Sequence, residues 1–242
     1  MTKLILFLTL ALSSNCFGQE QNKFIIREFV NNDSVPKLDR NNFKIDKNKI
    51  FEDSTFVVSK TCSGEWGGSI RFKDKKTGIE YSASSTCPVV VNKLNNKYYV
   101  TNTLAHLSGF SEIIEIADPK ALTIFEYHKP RKKRKETIIR YLGDNESKST
   151  KGTRQLVDSI GVLTIATFPF QEQLYHIVTD HKKTYLTKIV SGKFESIVTI
   201  SNQRLCTYDP EVITTVDKHY IVFFHNGYYD IHENNISIIR QR

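Results

Sequence analysis

The chain has 242 residues, 39% of them hydrophobic and 11% aromatic, with four cysteines and a formal charge of +8. That length suits one large all-β domain or two small ones, and it buries enough surface that no metal is needed to hold it together. The positive balance favours anionic partners on encounter and says nothing about fold. Tyr and Phe outnumber what a helical bundle of this size requires and fit pleated, half-buried surfaces instead.

Residues 1–18 read as a secretory signal peptide. Lys3 precedes an apolar run from Leu4 to Leu12, and small residues follow. Gly18 at −1 and Cys16 at −3 place the expected cleavage before Gln19. A lipoprotein retaining Cys16 is the weaker reading, because Ser13 and Asn15 stand where a lipobox has Leu and Gly or Ala. No later run reaches the ~20 apolar residues needed to span a bilayer. The expected location is exported: periplasm, cell surface or medium. Export makes a disulfide plausible, with Cys62 and Cys87 as the pair and Cys206 left over as a buried thiol or an intermolecular link.

Residues 19–54 form an N-terminal segment with one strand, about 23–30, and a linker. An all-β domain then runs over 55–242 as short apolar runs with turn signals between them. Strands are expected over 55–60, 69–74 and 79–84. The stretch TCSGEWGGSIRF (61–72) reads as a strand bulged at Gly67-Gly68 and clamped at its far end by Cys62, with Glu65 and Trp66 held out at the bend. Residues 88–94 and 97–103 make a hairpin about Asn95-Asn96, and 111–116 follows. Strands over 121–128 and 136–142 flank the basic run from His128 to Lys135. That run becomes the tip of a hairpin insertion spanning about 128–158, with a polar loop over 143–158. Strands over 161–168, 175–180, 184–190, 194–200, 211–216, 219–224, 228–232 and 236–240 complete the chain. No window carries a convincing 3.6-residue period, so little helix is expected.

An aromatic opens an apolar strand after a polar connector at Phe56, Tyr98, Tyr175 and Tyr220. The spacing is about 40–45 residues, with one gap of nearly twice that, which is the length of a four-stranded propeller blade. In this pattern the chain resembles small β-propeller repeat proteins. The resemblance covers about 55–242, lacks a Trp-Asp blade signature and carries over no functional residues. It implies an irregular propeller of four to five blades, closed by the spare strand at 23–30, which would remove an exposed edge. A meandering β-sandwich is the alternative.

The chemistry is sparse. None of the seven histidines sits in HExxH and no CxxC occurs, so no metal and no cofactor are expected. Ser63-Gly64 lacks the strand-to-helix setting of a nucleophile elbow. Glu65, Asp180, Asp217 and Asp230 are candidate members of a carboxylate pair for glycoside cleavage, with Trp66 as a stacking face. That reading leans on the glycan-active enzymes among small propellers, which is analogy of fold. The similar segments Val100-Thr101-Asn102 and Val178-Thr179-Asp180, if innermost, line a channel whose mouth Asn102, Asp180, His106 and His225 share. Arg131, Lys132, Lys133 and Arg134 offer a surface for anionic glycan or lipid headgroups. Nucleic acid is a poor partner for an exported protein whose basic run has no interleaved aromatics. The expected role is non-catalytic binding of an anionic surface glycan or a protein partner. The alternatives are a glycan-active hydrolase or lyase, and a structural envelope-associated subunit with Cys206 or an edge strand at an interface.

Overall fold

A computed structural model describes residues 23–30, 37–43, 46, 48–133 and 137–241. The expected signal peptide over 1–18, with Cys16, lies outside the described residues. Among the described residues the fold is all-β, and the helical turns are single 3-10 turns at Arg40–Asn42, Gly64–Trp66 and Pro119–Ala121. No helix among them is long and apolar enough to cross a membrane.

The expected N-terminal strand is β1 (Ile25–Val30). The chain then builds β2 (Lys49–Glu52), β3 (Phe56–Cys62), β4 (Gly68–Asp74) and β5 (Glu80–Ser84), which pair in that order as the first sheet. The second sheet starts with β6 (Pro88–Leu94), β7 (Lys97–Leu104) and β8 (Phe110–Ile116). An insertion follows. Its β9 (Thr123–Ile124) returns to the edge of the first sheet, and β10 (Arg131–Lys133) with β11 (Thr137–Ile139) forms a two-stranded ribbon. Then β12 (Thr153–Ile160) completes the second sheet beside β8. The third sheet is β13 (Leu163–Phe170), β14 (Gln173–Thr179), β15 (Thr184–Val190) and β16 (Lys193–Ser201). The fourth is β17 (Val212–Thr214), β18 (Tyr220–Phe224), β19 (Gly227–His232) and β20 (Asn235–Arg240), with β1 added in parallel along β20. None of these sheets closes on itself.

Burial follows from position. The Val89-Val90-Val91 run of β6 is buried on both faces, because β6 packs against strands of both the first and the third sheets. Asn95 and Asn96 turn the β6–β7 hairpin with φ of 48° and 60°, angles that Asn adopts more readily than most residues. The first and second sheets share one apolar core, which includes Val58, Phe72, Val100 and Ile114. The third and fourth share another, which includes Ile165, Tyr175, Tyr229 and Ile236. The second and third meet through hydroxyl groups instead. Thr101 Oγ1 donates to Thr167 Oγ1 at 2.8 Å, Thr103 Oγ1 donates to Thr164 O at 2.8 Å, and Ser111 and Thr164 share a hydrogen bond at 2.5 Å. A register shift in β13 between Thr164 and Ala166 lets Thr164 and Thr167, three residues apart, face the same sheet.

Three local expectations need correction. The stretch from Thr61 to Gly68 is a hairpin connection, not a bulged strand. Chain direction reverses through the turn Gly64–Trp66, and Cys62 pairs across to Gly68. Gly68 is required there because a Cβ would stand 2.6 Å from the carbonyl oxygens of Ser85 and Thr61. Of the strand expected over 121–128 only Thr123–Ile124 forms. Thr153–Ile160, most of which falls in the loop expected over 143–158, is an edge strand. Its mostly polar sequence hides it because only Val157 needs burial.

The Cys62–Cys87 disulfide is present and closes a loop with a sequence separation of 25. In the chain-entropy account such a loop stabilises by roughly 3 kcal/mol. It fits an oxidising, non-cytoplasmic setting. Cys206 is a half-buried free thiol.

Candidate functional site

The insertion after β8 is tied down along the first sheet. Phe125 N donates to Glu80 O at 2.8 Å, and Ser84 N donates to Ser149 O at 2.8 Å. The Arg71 guanidinium lies 3.8 Å from the Phe125 ring centroid and donates to Asn145 O at 3.0 Å. Glu146 is the pin. Its carboxylate accepts from the Thr61 hydroxyl and from the Ser63 and Ser69 hydroxyls at 2.7 Å each. Burial pushes this carboxyl up, but the three hydroxyl donors and the Arg71 charge outweigh it and hold it below the ordinary glutamate value.

This docking creates an exposed aromatic and basic face at the root of the ribbon. Gly143, at φ +83°, lies so close to Trp66 that a Cβ would sit 3.2 Å from Trp66 O. Lys148 Nζ donates to that same carbonyl at 3.2 Å. The Trp66 side chain is left 58% exposed. On the other limb of the ribbon, Arg140 stacks 5.0 Å from the Tyr127 ring centroid and donates to Tyr127 Oη. Tyr127 and Leu142 are also exposed. The ribbon itself carries Arg131, Lys132 and Lys133, with Lys132 exposed, and Arg134 lies outside the described residues. Trp66 and the segment that follows the ribbon, far apart in sequence, are therefore brought into contact at Gly143 and Lys148. Sequence reasoning misses Tyr127, Arg140 and Lys148. The symmetric placement of Tyr127 and Arg140 about the run is the signal that could have found them, since a hairpin pairing Arg131 with Ile139 brings its flanks together.

The remaining candidates scatter. Glu65 shares the Trp66 turn and lies 3.7 Å from His106 Nδ1. Asn102 is fully buried, accepts from Ser85 Oγ at 2.6 Å and donates to Glu112 at 2.8 Å. Asp180 caps its own turn, accepting from the backbone of Lys182 and Lys183 at 2.6 and 2.7 Å and from Tyr185 Oη at 3.0 Å. Burial pushes its carboxyl up, and those donors bring it below the ordinary aspartate value. Asp230 lies on β19, 2.6 Å from His219 Nδ1, and His219 stacks on His232. Asp217 is an exposed residue of the β17–β18 turn. His225 is exposed at the β18–β19 turn and lines a cavity of about 460 Å³ with Cys206. Asn102, His106, Asp180 and His225 thus share no mouth, because Asn102 has no exposed surface and the others belong to different turns. Among the described residues no group of three or more His, Cys, Asp or Glu is placed to hold a metal.

A second concave feature lies where β2, β6, β13 and β17 converge. These are the strands that begin the four large sheets in chain order, the added β1 aside, and they line a pocket of about 720 Å³. No protein-family model, curated protein or solved structure matches this chain.

Proposed function

We propose that the protein is an exported, non-catalytic binding protein that holds anionic glycan on the face around Trp66 and the basic ribbon. The observation that carries this reading is the placement of the exposed Trp66 ring and the Arg140–Tyr127 stack at the root of the ribbon bearing Arg131, Lys132 and Lys133. Exposed aromatic rings offer flat surfaces to sugar, and nearby guanidinium and ammonium groups offer charge to its carboxylates or sulfates. The scaffold is best read as a four-bladed propeller. Four successive sheets each send their first strand to one pocket, and an N-terminal strand completes the last sheet, as ring closure would require. A hydrolase or lyase draws less support. Glu65, Asp180 and Asp230 belong to the first, third and fourth sheets and have separate partners.

The test is retention on immobilised sulfated dextran against neutral dextran. Replacing Arg131, Lys132, Lys133 and Arg134 with Ser should abolish retention at low salt, where charge acts over ~10 Å or more. Trp66→Ala should release the protein at lower salt than wild type. Unchanged elution of both variants would overturn the proposal.

A further inference from the structure

The pocket between the four sheets lies apart from the Trp66 face and combines two chemistries. One part of its wall is apolar, with Phe51, Val89, Val91, Pro169, Val212 and Ile213. The rest is charged. Four lysines and three carboxylates line it, which leaves an excess of one positive charge.

The pairing within that wall decides which charge is free to act. Lys49 bonds Glu52 at 2.6 Å, and Lys93 bonds Asp53 at 2.6 Å. Glu211 accepts from Arg40 Nε at 3.0 Å. Lys60 is different. Its ammonium is half-buried and donates to one backbone carbonyl, Pro88 O, at 2.7 Å. A lysine ammonium has three donors, so two N–H directions remain for a ligand. Burial holds this group below the ordinary lysine value, while Asp209 and Glu211 nearby pull it the other way. Four residues further along β6 from Pro88, the wall is already organised: Tyr220 Oη donates to Asn92 Oδ1 at 2.9 Å, and Asn92 Nδ2 donates to Thr167 O at 2.8 Å. The ligand therefore meets a fixed polar end and a fixed apolar end.

We propose that this pocket binds a small amphipathic monocarboxylate, with its carboxylate on Lys60 and its apolar body against the Val89, Val91 and Ile213 wall. The volume lies within the range of about 300–1,000 Å³ typical of small-molecule sites. A single charge fits better than a dianion, because Asp46, Glu52 and Glu211 on the same wall repel additional negative charge. The site is independent of the glycan face, so either proposal survives failure of the other.

The test uses the full mature chain and three probes of equal chain length: octanoate, 1-octanol and octyltrimethylammonium. Methyl NMR titration reads both affinity and location. Octanoate should shift the methyls of Val89, Val91 and Ile213 and bind roughly tenfold more tightly than octanol, reflecting a charge-assisted hydrogen bond. The ammonium probe should bind weakest. Lys60→Met should bring octanoate down to the affinity of octanol, while Lys193→Ser, exposed at the start of β16 and outside both sites, should leave octanoate affinity unchanged. Equal affinity for the three probes in the wild-type chain, shifts confined to other methyls, or no shifts at all would overturn the proposal. The wild-type series decides even if Lys60→Met does not fold.

Discussion

The interface between the first and second sheets and the interface between the second and third are made of opposite materials. On one side, Phe56, Phe72 and Tyr98 form an edge-to-face cluster with centroids 5.2–6.1 Å apart. On the other, Thr101, Thr103 and Ser111 meet Thr164 and Thr167 through hydrogen bonds, with the buried His176 Nδ1 3.0 Å from Thr167 Oγ1. Strand β7 serves both. Alternate side chains of a strand point to opposite faces, so Tyr98 and Val100 enter the apolar core while Thr101 and Thr103 enter the hydroxyl layer. The apolar interface draws its strength from area and tolerates small displacement. The hydroxyl interface is directional, because each buried donor must face its acceptor, and so it sets how the second sheet sits on the third.

The largest effect belongs to the apolar side. Phe72→Ala removes a fully buried ring from the centre of the cluster. It should destabilise the protein by about 3–5 kcal/mol in urea denaturation. A loss under about 1 kcal/mol would mean that the two sheets do not depend on this core. The second effect distinguishes the interfaces by acid. Burial holds His176 down at about 3, against an ordinary value of 6.5. It is therefore neutral in the fold, whereas the unfolded chain takes up a proton below about pH 6.5. The stability this difference contributes is intact above that pH and is lost as pH falls towards 3, by up to about 1.4 kcal/mol per pH unit. His176→Gln should flatten the slope of stability between pH 6 and 4.5, and Phe72→Ala should leave that slope unchanged. Parallel slopes for wild type and His176→Gln would show that the hydroxyl layer does not exclude the charged ring. The Glu146 carboxyl, held below its ordinary value of 4.5, loses its contribution only as pH falls below that value, so the interval from pH 6 to 4.5 reports His176 and not Glu146.

The contrast between the interfaces also explains what the sequence discloses. Alternating apolar positions place most strands correctly, and the aromatic spacing marks one strand in each of the four large sheets. Phe56, Tyr98, Tyr175 and Tyr220 sit on β3, β7, β14 and β18, each the second strand of its sheet in chain order once the added β1 is set aside. These strands have hydrogen-bonded neighbours on both edges, and they bury Phe56, Tyr98 and Tyr175 fully and Tyr220 in part. Of the four strands that line the pocket, one is harder to read: Lys49–Glu52 is short and mixed in polarity and looks like linker, whereas β6, β13 and β17 fall within expected strands. A channel argued from Asn102 and Asp180 is therefore off by one strand. The Cys62–Cys87 pair is legible from the cysteine count of a chain expected to be exported, not from hairpin register, which leaves the two a few residues out of step. The contact of Gly143 with Trp66 is not, because no local pattern links two turns held together by the Glu146 pin.

The smallest effect probes whether the hydroxyl layer fixes register or only fills space. Thr101→Val removes one donor while keeping the shape, and should cost about 1 kcal/mol. Thr167→Val should cost more, since it strands both the Thr101 hydroxyl and His176 Nδ1. If the pair interacts as the geometry indicates, a double-mutant cycle should give a coupling of about 0.5–1.5 kcal/mol, and simple additivity would show that the contact carries no energy. The same variants test the wider consequence. Asn92 bridges Thr167 O to Tyr220 Oη at the pocket wall, so the hydroxyl layer and the pocket share a hydrogen-bonded chain. Thr101→Val should leave octanoate binding intact, because the bridge runs through the Thr167 backbone and not through its hydroxyl. Weakened binding in that variant would mean that the second sheet has shifted on the third, and that direction matters more here than the energy of a single bond.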